Sequence, residues 1–185
     1  MKTIINTVGD EVNYVLNQID EEKVIQFANL IHNTSKIYVA GAGRSGLIGK
    51  VFAMRLMHSG YEVYVVGETI TPSITENDVL VIISGSGNTG SLTLFAEKAK
   101  EIGVNVALFT TNEHSNIGKI SDLVVTLPAA TKDRETNKNH TIQPLGSQFD
   151  QSVHLLLDAV IVYLLENYGN EQENENLSKR HTNLE

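Results

Sequence analysis

The chain has 185 residues, 41% of them hydrophobic and 19% charged, which fits one soluble domain large enough for a real core. Its net charge of −8 argues against general nucleic-acid binding, since affinity for a phosphate backbone needs clustered Lys and Arg. The absence of cysteine excludes a disulfide framework and thiolate metal sites and fits a reducing cytoplasm. No apolar run approaches the ~18 residues of a membrane span, and the first residues lack a signal-peptide pattern.

In chain order, Ile4, Ile5, Val8, Val12, Val15 and Leu16 recur at a helical period. Asp20-Glu21-Glu22 opens a second helix with Val24, Phe27, Ala28 and Ile31 on one face and acids at the dipole-favoured start. Residues 36–40 read as a buried strand, followed by the glycine loop Gly41-Ala42-Gly43-Arg44-Ser45-Gly46 and a helix from about Ser45 to His58. Residues 61–66 and 79–83 are the second and third strands, with Thr71-Pro72 between them. The loop Ser84-Gly85-Ser86-Gly87-Asn88-Thr89 then leads into a helix over about 90–101. Strands over 105–109 and 122–127 come next, then a polar loop over 128–144 and a long helix over about 147–168. Residues 169–185 read as a polar linker and C-terminal tail beyond a domain of residues 1–168.

Alternating strands and helices predict an α/β fold, a three-layer α/β/α sandwich around a five-stranded parallel sheet in flavodoxin-like order. Ligands of such folds sit at the carboxyl ends of the strands, where both glycine loops lie. A strand that ends in such a loop, with a helix just beyond, aims unpaired N–H groups and a positive dipole end at one point. Two such loops predict a site for a small phosphorylated molecule.

The first loop also satisfies G-x-G-x-x-G, with Glu68 some twenty residues on, so a dinucleotide enzyme is a rival. That rival leaves no room for a substrate domain and gives no reason for the second, hydroxyl-bearing loop. There Ser84, Ser86 and Thr89, with the N–H groups of Gly85, Gly87 and Asn88, offer phosphate a full set of donors, whereas helix capping needs only one of them. Gly43, Arg44 and Ser45 supply the same from the first loop, with the arginine as a cation for phosphate or an oxyanion. Asp150, His154 and Asp158 lie on one helical face, but a metal site needs a fuller ligand set, and no metal is expected.

The serine loop after a buried strand resembles the SIS (sugar isomerase) domain, whose members bind phosphosugars there. The resemblance is nearest to the 6-phospho-3-hexuloisomerases of the ribulose monophosphate pathway. It runs through Gly41–Gly46, Phe52–His58, Gly67-Glu68 with Thr71-Pro72, Ser84–Thr89, Pro144–Ser147 with Phe149, and Arg180-His181 with Asn183-Leu184. It implies interconversion of a 3-keto and a 2-keto hexose 6-phosphate through an enediol, with no metal or redox cofactor. It also implies a homotetramer, and 3-hexulose-6-phosphate synthase, the formaldehyde-fixing aldolase, as pathway neighbour. By resemblance the base is a glutamate at the start of the last helix, where this chain has Asp150, one methylene shorter. First-turn dipole stabilisation is the other role open to Asp150.

The same resemblance makes His58 substrate-facing, and Glu68 is a further candidate base or hydroxyl ligand. The tail suggests that Arg180 and His181 reach another subunit's site. Two rival activities use the same fold: an arabinose 5-phosphate type of aldose–ketose isomerase, and a non-catalytic phosphosugar sensor.

Overall fold

The computed structural model describes residues 1–132, 140–169 and 173–184. Five strands form one parallel sheet in the order β2-β1-β3-β4-β5. They are β1 (Ile37–Gly41), β2 (Val63–Val65), β3 (Val79–Ile83), β4 (Asn105–Thr110) and β5 (Leu123–Thr126). The helices are α1 (Lys2–Leu16), α2 (Glu21–Asn33), α3 (Gly43–His58), α4 (Gly90–Ile102), α5 (Ser147–Tyr168) and α6 (Glu173–Arg180). The predicted fold and strand order are those found.

β3 lies at the centre of the sheet and every one of its residues is buried, as the unbroken apolar run Val-Leu-Val-Ile-Ile requires. Alternation along the strands divides the core in two. Val39, Val81, Ile83 and Phe109 face α2, α3 and α5 through Phe27, Phe52, Val153 and Leu157. Tyr38, Leu80, Ile82 and Leu108 face α4 through Leu92, Ala96 and Ala99. The edge strand β2 is only three residues long, shorter than the 61–66 run predicts, and beyond it the chain turns at Gly67 (φ +97°). A short edge strand exposes fewer unpaired backbone groups. No helix among the described residues is long and apolar enough to cross a membrane.

One expectation needs correction. Residues 173–176, read as linker, belong to α6, which packs on α3 of its own chain. Arg180 Nη1 donates to the carbonyl of His58 at 3.0 Å, so a cation meets the negative end of α3. The His181 ring stacks on His58 at a centroid distance of 5.2 Å. The polar composition of α6 hid a helix that tertiary contact stabilises.

Candidate active site

β1 and β3 each end in a glycine loop, and α3 and α4 start beyond them. The first turn is tight: a Cβ on Gly41 would lie 2.9 Å from Gly46 Cα, and one on Gly46 would lie 2.8 Å from Gly41 O. Glycine at both positions lets the start of α3 abut the end of β1. In the second loop Gly87 has φ +64°, and a Cβ there would fall 2.0 Å from Ser115 Oγ. No other residue fits.

The loop is held from behind. Thr111 N–H and Oγ1 both donate to Gly85 O, and Ile117 N–H donates to Gly87 O. Asn88 Oδ1 accepts from Asn116 N–H at 2.9 Å. Ser84 Oγ accepts from Gly87 N–H at 3.2 Å, and Ser86 Oγ accepts from Asn88 N–H at 3.3 Å. Each hydroxyl therefore uses a lone pair inside the loop, and its hydrogen has no acceptor among the described residues.

The amino ends of α3, α4 and α5 line one cavity of about 570 Å³. Their N-cap residues are Ala42, Thr89 and Gly146, and none makes a side-chain cap hydrogen bond. By contrast α2, away from the cavity, is capped by the Asp20 carboxylate, which accepts from Lys23 N–H. Three helix ends thus turn uncapped N–H groups and positive dipole ends on one space.

Asp150 lies in the first turn of α5 and is only 6% exposed. Its Oδ1 accepts from Ser45 Oγ at 2.6 Å, and its Oδ2 lies 3.5 Å from Arg44 Nε. Arg44 Nη1 donates to Ser147 Oγ at 2.7 Å. Burial pushes the Asp150 carboxyl above the usual carboxylate range, against the opposing pull of the Ser45 hydrogen bond and the Arg44 charge. A carboxylate in that condition is a stronger base than one in water.

The structure brings Arg44, Ser45, Ser84, Gly85, Ser86, Thr89 and Asp150 to this cavity. Gly43, Gly87 and Asn88 shape the loops without lining it. His58 and Glu68 lie elsewhere in the chain. His58 ends α3, so the length of the helix carries it about 21 Å from Arg44. It sits in a separate cavity with Arg55 and His181, and burial, then His181 and Arg55, hold its ring below the ordinary imidazole value. Glu68 pairs with Lys50 at 2.5 Å in an exposed pocket beside Met54 and Met57. His154 lies 3.6 Å from Asp158, whose side chain is half-exposed.

Residue-by-residue reading missed Ser147, which receives Arg44, and Thr131 and Lys132 on the cavity wall. A lone serine and a lone lysine carry no pattern. It also missed Glu11 of α1, which accepts from Thr141 Oγ1, Ile142 N–H and Gln143 Nε2 and so holds the segment entering α5.

Residues 30–157 match the SIS domain. The chain is 43% identical to the 3-hexulose-6-phosphate isomerase of Bacillus subtilis (strain 168), over 98% of this chain and 95% of that one. It is 41% identical to the enzyme of that name from Mycobacterium gastri, over 98% and 89%. A crystal structure from Methanococcus jannaschii, from which the function of 3-hexulose-6-phosphate isomerase was inferred, superposes with a TM-score of 0.84 at 34% identity, covering 98% of each chain. The chain belongs to the SIS-domain family, in the branch of the 3-hexulose-6-phosphate isomerases.

Proposed function

We propose that the chain is an isomerase that interconverts 3-hexulose 6-phosphate and fructose 6-phosphate at this cavity. One observation carries the reading: three uncapped helix N-termini and two outward-donating serines surround a single buried carboxylate. The first part suits a phosphate dianion and the second suits proton transfer at the other end of a short sugar.

Ser84, Ser86 and Thr89, with the amino end of α4, grip the phosphate. Asp150 takes the proton from C2 of the 3-keto sugar, the C2–C3 enediol forms, and the proton returns to C3. The hydroxyl proton on O2 passes to O3, so the atoms balance without any redox partner. Arg44 stabilises the developing oxyanion. The enzyme acts in the cytoplasm, downstream of a 3-hexulose-6-phosphate synthase.

His58, Arg180 and His181 act from a neighbouring subunit of a homotetramer. Exposed apolar side chains support the assembly: Ile4 and Ile5 on α1, Leu47, Met54 and Met57 on α3, and Leu155 and Val162 on α5.

The test is exchange of fructose 6-phosphate protons in heavy water. The parent protein should place deuterium at C3, and Asp150→Asn should lose about a thousandfold in rate. No exchange by the parent would refute the isomerase reading. Undiminished exchange in Asp150→Asn would move the base elsewhere.

A further inference from the structure

Ser45 occupies the third position of α3 and Asp150 the fourth of α5, so the 2.6 Å contact between them joins two helix ends across the cavity wall. That separation is typical of a hydroxyl donating to an ionised carboxylate. A serine hydroxyl has one hydrogen, and here Asp150 takes it. What remains on Ser45 Oγ is a pair of acceptor sites, which a phosphate dianion, itself only an acceptor, cannot use. Ser84 and Ser86 stand the other way round: each accepts from its own loop and keeps its hydrogen for a ligand. A dianion beside Ser45 would also sit against the Asp150 charge.

We infer that Ser45 is a positioning residue for Asp150 and not a ligand of the phosphate, an inference that rests on the isomerase reading above. Aspartate has few torsions with which to aim its oxygens, and the hydroxyl fixes Oδ1 while Arg44 Nε stands 3.5 Å from Oδ2. A misplacement of about 1 Å in a reacting group costs on the order of a hundredfold in rate. Among the described residues Arg44 of α3 is the charged group beside the carboxylate, and Lys132 lines the same cavity.

The experiment compares Ser45→Ala and Ser45→Thr with the parent, in full-length protein. It reads kcat, KM, inhibition by inorganic phosphate, the pH profile, and the Asp150 carboxyl titration by carbon NMR. Ser45→Ala should lower kcat about ten- to a hundredfold and leave KM and the phosphate inhibition constant within about twofold. Losing the donor removes a downward pull on the carboxyl, so its titration and the acid limb of the rate should move together to higher pH. Ser45→Thr, which keeps the hydroxyl, should recover most of kcat.

A rise in KM and in the phosphate inhibition constant with an unmoved acid limb would make Ser45 a phosphate ligand and overturn the inference. An unmoved Asp150 titration would overturn it as well. Failure of the base assignment shows differently: Asp150→Asn would keep its turnover while Ser45→Ala still displaced the Asp150 titration. That outcome removes the catalytic role of Asp150 and, with it, the positioning role of Ser45.

Discussion

The two ends of α3 carry opposite chemistry. At its amino end a buried carboxylate faces two residues of the first turn, and the Ser84 and Ser86 hydroxyl hydrogens across the cavity have no acceptor among the described residues. At its carboxyl end Arg55 and the docked Arg180 place cations beside the His58 ring at the helix terminus, and the chain's own tail packs against them. Both ends obey the helix dipole and both border a cavity, but the cavity at the amino end holds a buried acid facing the hydroxyl hydrogens of Ser84 and Ser86, which have no acceptor among the described residues. Charge complementarity at a helix end therefore says little about a ligand, whereas unused donors around a buried acid say much.

Mixing subunits would sharpen this contrast most. Asp150→Asn and His58→Ala should each fall about a thousandfold alone if the carboxyl end of α3 serves a neighbour's cavity. Refolding the two together should restore activity at least about tenfold above either parent, because some sites then hold both groups. No recovery in a verified mixed oligomer would confine the chemistry to the amino end. Asp150→Asn should also melt higher than the parent. The fold holds the Asp150 carboxyl above its ordinary range, so its charge at neutral pH opposes folding, and that cost is relieved only as pH falls through the raised value.

The double variant Ser84→Ala with Ser86→Ala tests the donors themselves. Each charge-assisted hydrogen bond contributes about 1.5–3 kcal/mol, so kcat/KM should fall at least about a hundredfold, most of it in KM. An unchanged KM would place the phosphate elsewhere.

The smallest effects belong to the covered end. Arg180→Ala should lower global stability by about 1 kcal/mol or less while it exposes α6 to hydrogen exchange. Acid should act similarly. Burial, then His181 and Arg55, hold the His58 ring below its ordinary value, so the folded state favours the neutral form. Its contribution is full above about pH 6.5 and declines as pH drops from there toward the folded value. Exchange at α6 that ignored this pH range would remove His58 from the clasp.

The sheet order and the two loops were legible because hydrophobic runs and glycine punctuation are local signals, as β3 and Ser84–Thr89 illustrate. Asp150 was legible only by resemblance, since a first-turn acid has an ordinary dipole role. The separation of His58 from the cavity was legible too. A helix that starts by Ser45 and ends at His58 carries them about 20 Å apart, and motif reading neglected that rise. Glu68, Lys132 and α6 were not legible, because the Lys50 pairing, the cavity wall and the contact with α3 all join residues far apart in sequence.

Glu11 has a practical consequence. One carboxylate on the first helix holds Thr141, Ile142 and Gln143, the stretch that delivers the proposed base to its place. An affinity tag or fusion that tugs on that helix would reach the chemistry through this side chain and through the Gln148 amide, which donates to the Glu11 carbonyl, with the sheet itself undisturbed. Purified material of normal secondary structure and poor specific activity would be its signature.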